Sequence, residues 1–139
     1  MKRTLRFSIA ILSLSLVAFL LLAMLPQDQK IGAPWSVPAK YKVMKSTQKA
    51  DATTLNTGKM LYTKHCKSCH GGGGLGDGPK SSSMKTKVNK FKDAKFQGQT
   101  DGEIYFESFV GRDEMPNFEK KIADEEERWA IVSFVRTLK

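Results

Sequence analysis

Cysteine and histidine are the scarcest chemistry-bearing residues in this chain. Among 139 residues there are two of each, and all four fall between His65 and His70. A tetrahedral zinc site is a poor fit, because four ligands crowded into six consecutive positions, with no second pair elsewhere, do not surround one ion. A plain disulfide would use both cysteines and leave His70 unexplained. Strand alternation is also missing, and the run 58–65 ahead of Cys66 is helix-like. A thioredoxin-like dithiol needs a strand there, inside a βαβ unit, so that reading falls with it. No nucleophile–base pair or carboxylate dyad stands out, and the chain is not read as an enzyme. Acids are few from residue 30 to 95, where 14 lysines face only Asp51, Asp77 and Asp93; beyond residue 95 ten acids outnumber six bases. The basic half carries no recognisable nucleic-acid-binding fold, so nucleic acid is not an expected partner.

What the chain does have is Cys66-Lys67-Ser68-Cys69-His70, a CxxCH pentapeptide that uses every cysteine present. This is the attachment signature of c-type haem. Two thiols can add across the two vinyl groups of a porphyrin, and the two-residue spacer sets the sulfurs near the separation those vinyls require. The histidine directly after Cys69 then falls under the iron as an axial nitrogen ligand. One covalently attached haem c is the expected cofactor.

The N-terminus reads as an export or anchoring segment. Lys2, Arg3 and Arg6 precede an uncharged, mostly apolar stretch of 19 residues, 7–25, close to the roughly 20 that span a bilayer core as a helix. It ends in Leu25-Pro26, where a signal-peptidase site would want small residues. An uncleaved transmembrane anchor over 1–25 is therefore expected, with a cleaved signal and a soluble periplasmic product as the alternative. The basic flank orients the N-terminus to the cytoplasm and the remainder to the periplasmic side of a bacterial cytoplasmic membrane. Residues 26–52 hold Pro26, Pro34, Pro38, Gly32 and five lysines, the composition of an extended tether without a core of its own. Its aromatics, Trp35 and Tyr41, are read as packing on the domain surface or sitting at the membrane interface.

The remainder, 53–139, is all-α. Leu55, Gly58, Met60, Leu61 and Tyr62 form a rough apolar face leading into Cys66, with Met60 expected in the core. Thr100-Asp101-Gly102-Glu103 is a capping box opening a short helix. Asp124 followed by three glutamates starts the last helix, which carries Trp129, Ile131, Val132, Val135 and Leu138. The apolar residues are few for a domain this size, and a buried macrocycle stapled by two covalent links would supply the missing mass. The glycine run 71–76 formally matches GxGxxG, but a lysine- and serine-rich loop follows it instead of a helix, so it is read as a tight turn.

A second axial ligand separates a carrier from a sensor. His65 sits too close to His70 on the same side of the ring. Of six methionines, Met1 and Met24 belong to the apolar segment, Met44 to the tether, and Met84 to a polar loop expected at the surface. Met115, in a loop between two helices and stiffened by Pro116, is the candidate.

With CxxCH, a downstream Met115-Pro116 and an aromatic last helix in order, residues 53–139 resemble the class I (monohaem) cytochrome c domain. The resemblance implies a small all-α fold in which the first and last helices cross, with Gly58 and Tyr62 on one and Trp129 as the aromatic of the other. It implies Cys66 and Cys69 as thioether positions, His70 as proximal and Met115 as distal iron ligand. Gly76-Asp77-Gly78-Pro79 is similar to a segment of bacterial members, which makes the Pro79 carbonyl the expected acceptor for the His70 Nδ1–H. The implied function is single-electron carriage between redox proteins, the lysine-rich face either merely solvated or steering toward an acidic partner. Two alternatives remain: a haem subunit of a larger respiratory or dehydrogenase complex, and a haem-based small-ligand sensor.

Overall fold

The computed structural model describes residues 29–139 and, ahead of them, only positions 15, 19 and 21. Apart from those three positions, the anchor expected over 1–25 lies outside the described residues. Among those described, no helix is long and apolar enough to cross a membrane.

The described chain is helical, with two isolated bridges and no strand. A one-turn helix α1 (Ala39–Lys42) precedes α2 (Ala52–His65), which runs into α3 (Lys67–His70) at the motif; α4 (Ala94–Gln97), α5 (Asp101–Phe109) and α6 (Glu125–Thr137) follow. Each long helix starts where a side chain satisfies a free amide. Asp51 accepts from the Thr54 amide at 2.9 Å, ahead of α2. Thr100 and Glu103 form the expected reciprocal box at α5, at 3.2 and 2.8 Å. Asp124 accepts from the Glu126 and Glu127 amides at 2.7 and 3.3 Å, and the three first-turn glutamates of α6 favour its dipole.

The principal helix contact is α2 against α6. Gly58 makes it close: a Cβ there would fall on the Ala130 carbonyl and within 2.9 Å of the Phe134 Cβ. Tyr62, one turn on, is buried against Phe134 with ring centroids 5.3 Å apart. The crossing of first and last helices is as the resemblance implies, and the aromatic standing at it is Phe134. Trp129 is buried on another face of α6, 4.6 Å from the Tyr105 ring of α5. Arg136, near the end of α6, ties that helix to the start of α5 through Asp101 at 2.8 Å and the Gln97 carbonyl at 3.0 Å.

Met60 departs from expectation: it is 59% exposed. With about 100° per residue, a helix that turns Gly58 and Tyr62 inward at i and i+4 carries the position between them outward. The segment 29–46 is extended apart from α1 and has no core of its own, and it is bound along the domain. Trp35 and Tyr41 pack on Phe106 of α5, at 6.2 and 4.7 Å. Lys30 bridges to Thr86, its amide donating to the Lys85 carbonyl at 3.0 Å.

Candidate haem site

Helix α2 ends where the motif begins. The Cys66 amide still donates to Tyr62 at 2.8 Å, and the Cys69 and His70 amides both donate to the Cys66 carbonyl, at 3.1 and 3.0 Å. The motif is thus one tight helical turn that presents both sulfurs and the imidazole from a rigid base. Tyr62 reaches past it, its hydroxyl donating to the Gly71 carbonyl at 2.6 Å in a buried contact. Burial pushes that phenol further up, so it remains a donor. The glycine run then turns back: Gly71, Gly74 and Gly76 have positive φ, and the Gly76 and Gly78 amides return to His70 and Cys69 at 2.9 and 3.1 Å.

Both cysteines are free thiols, half-buried. Burial, with Cys69 beside it, pushes the Cys66 thiol up to about 12. A reactive dithiol needs the opposite shift, toward thiolate. Cys66 is therefore built as a protonated, apolar-facing thiol, packed against the aromatic core. His70 is half-buried as a residue, while its Nδ1 has no contact with solvent and no hydrogen-bond partner. Burial lowers its pKa to about 4, so the ring is neutral at physiological pH. A neutral imidazole is the form that ligates a metal. Its face stacks on Phe91 at 4.7 Å and 24°, and Phe91 stacks in turn on Phe96 at 4.6 Å.

No hydrogen bond joins the His70 Nδ1 to the Pro79 carbonyl, its expected acceptor. Pro79 is exposed, and the amide of its neighbour Lys80 donates to the Ser68 carbonyl at 2.9 Å, as that of Gly78 does to Cys69. The loop is bonded to the backbone of α3 and leaves the ring nitrogen unpaired. Phe91 is the residue that sequence reasoning missed. A lone aromatic between Lys90 and Lys92 in a lysine-rich stretch was its available signal, because an exposed loop has no need of one.

Met115 is half-buried and packs against the same hydrophobic core as Cys66. It sits in a tight turn closed by paired backbone bonds to Arg112, both 2.8 Å. Gly111 has φ of 71° there, and a Cβ would collide with the Met115 carbonyl. Met84 is also half-buried, its carbonyl accepting from the Gln29 side-chain amide at 2.8 Å.

The residues present fit a covalently held haem. Two free thiols stand one helical turn apart, the imidazole that follows them is neutral and stacked on Phe91, and Cys66 packs against the hydrophobic core that includes Phe91. The family model for cytochrome c matches residues 55–139. No curated protein matches the chain. The match covers more than half of the sequence and the whole of the motif, and the chain belongs to the cytochrome c family, whose members bind haem c covalently and use its iron for electron transfer.

Proposed function

We propose that this cytochrome c is a membrane-anchored, periplasm-facing monohaem carrier that passes single electrons between redox proteins, with thioethers at Cys66 and Cys69 and axial ligands from His70 and Met115. The observation that carries the reading is that Cys66 and Met115, 49 positions apart, both pack against the one hydrophobic core cluster, which includes Phe91, the ring that His70 stacks on. Bound haem supplies a one-electron ferrous–ferric couple. The chain's own work is positioning. The α2–α6 crossing fixes the base of the motif, Phe91 restrains rotation of the His70 ring, and the Gly111 turn holds Met115 in place. A thioether on the sixth position favours the ferrous state and raises the potential.

The chain performs no bond chemistry in this reading. The lysine-rich face over residues 30–95 steers toward an acidic redox partner. Anchoring over 1–25, supported by its length and basic flank, keeps the domain concentrated near membrane partners. The test is the absorption spectrum of the ferric protein, wild type beside Met115→Ala. A methionine–iron charge-transfer band present in the first and absent in the second is expected. If the band survives the substitution, Met115 is not the ligand and Met84 takes its place.

A further inference from the structure

The turn that carries Met115 is pinned on both sides of the methionine by segments remote in sequence. On one side, Arg112 donates through Nη1 to the Pro34 carbonyl at 2.9 Å and through Nη2 to the Ala33 carbonyl. Its guanidinium also lies over the Trp35 ring, 4.0 Å from the centroid. On the other side, the Glu114 carboxylate accepts from the Lys85 and Thr86 amides at 3.0 and 2.8 Å. The two anchor points are themselves joined, since Lys30 bridges to Thr86 and the Lys87 amide donates to the Lys30 carbonyl at 2.9 Å. Segment 29–35, loop 81–87 and turn 111–116 thus form one hydrogen-bonded layer, with Met115 between its two clamps.

A two-pronged guanidinium that also stacks on an aromatic is a directional restraint that a lysine would not reproduce. None of these bonds is needed to build the helices, whose packing runs through α2, α5 and α6. The layer has a local task. Resting on the reading of Met115 as the sixth ligand, we propose that segment 29–35 is a strap that holds the Met115 turn closed, and that Arg112 and Trp35 are positioning residues for that ligand. Lifting the strap leaves the fold and the covalent links in place and makes the sixth position available to an external base.

The test uses the full-length holoprotein, with imidazole as the competing base. Arg112→Gln, Arg112→Lys and Trp35→Ala are compared with wild type by the charge-transfer band of the ferric form and by imidazole titration. When the closed turn is less populated, apparent imidazole affinity rises in proportion to the open fraction. We expect about a tenfold rise for Arg112→Gln and Trp35→Ala, with a weakened band, and a smaller but definite rise for Arg112→Lys. Phe134→Ala, at the helix crossing, is the control: it lowers the unfolding midpoint without raising imidazole affinity. Wild-type band and affinity in all three strap variants, with the band lost in Met115→Ala, would overturn the strap and leave the ligand assignment standing. A band that survives Met115→Ala overturns the ligand assignment itself. If Phe134→Ala raises imidazole affinity as much as the strap variants do, the effect is general loosening and the strap proposal also fails. Should Arg112→Gln not yield folded protein, Arg112→Lys and Trp35→Ala decide the question on the same readouts.

Discussion

The half of the domain around the motif and the half around Met115 are joined by different forces. Around the motif, Gly58 brings two helices into backbone contact, and Tyr62, Phe134, Phe91 and Phe96 fill the space beside them. The Met115 turn, whose methionine also packs on the core, is tied to segment 29–35 and loop 81–87 by hydrogen bonds and one cation–π contact, between residues 28 to 79 positions apart. Apolar packing is cooperative with the whole fold, whereas a polar layer at the surface can open locally at a cost below that of global unfolding. A haem protein built this way keeps its covalent attachment and proximal base rigid and leaves adjustability to the other face.

The sharpest way to break the contrast is at the helix crossing. In an open helix, Gly→Ala gains about 1 kcal/mol from propensity. At Gly58 the added Cβ falls on the Ala130 carbonyl, so α2 and α6 must separate. We expect Gly58→Ala to cost about 3 kcal/mol by urea unfolding of the holoprotein. A stabilised variant would show that the crossing is looser than its geometry.

The second expected effect is a pH dependence arising in the Met115 half. Glu107 on α5 is buried, hydrogen-bonded to Gln99 and within the influence of Arg112, and burial raises its carboxyl from an ordinary 4.5 to about 7. The folded state therefore holds a proton that the unfolded state releases earlier, and stability falls as pH rises from 4.5 through 7. Above that window the folded protein carries a buried charge. Glu107→Gln keeps an acceptor for Gln99 and removes the charge, so it should gain about 2 kcal/mol over wild type at pH 8 and nothing at pH 4. Parallel urea midpoints for the two proteins across that range would refute the assignment.

Tyr62→Phe sharpens the comparison from the motif side. It preserves the ring that packs on Phe134 and Phe91 and deletes only the bond to the Gly71 carbonyl, leaving that acceptor with just the long bond from the Gly74 amide at 3.5 Å. A loss of about 1–2 kcal/mol is expected, with the charge-transfer band unchanged, because the damage lies on the motif side of the site. A band that weakens would mean that the two halves are coupled more tightly than their contacts suggest.

The same division explains what could be read in the sequence. Local features were legible: the CxxCH turn, the capping box at Thr100, the acidic start at Asp124 and the Gly58–Tyr62 spacing each depend on residues within one or two turns. The apolar face of α2 misleads at Met60, where hydrophobicity and the helical angle disagree, and Phe134, which packs on Tyr62 at the crossing, has no local feature that marks it out. The Pro79 acceptor rests on resemblance alone, since the bonds that fix its loop are made by the neighbouring Gly78 and Lys80 amides and carry no information about where its carbonyl points. The layer around Met115 left no trace, since hydrogen bonds between distant, non-periodic segments have no sequence period to follow. Composition marked 26–52 as coreless and extended; that part of it runs along the domain depends on Arg112, about 80 positions away.

The smallest expected shift in global stability, and the most direct probe of the contrast, is at the strap. Arg112 is partly exposed and its contacts are polar, so Arg112→Gln should change the urea midpoint by less than about 1 kcal/mol. Amide exchange should respond differently. The Lys85, Thr86, Lys87 and Met115 amides are held only within the polar layer, whereas Cys66, Gly78 and Lys80 are held to the motif and its helix. In wild type the first group should exchange through local opening, at rates insensitive to low urea, and the second through global unfolding, at rates that rise with urea. Arg112→Gln should accelerate the first group about tenfold and leave the second almost unchanged. Acceleration of both groups together would mean that the layer opens only when the helices part, and the domain would then be one cooperative unit with no separable face at Met115.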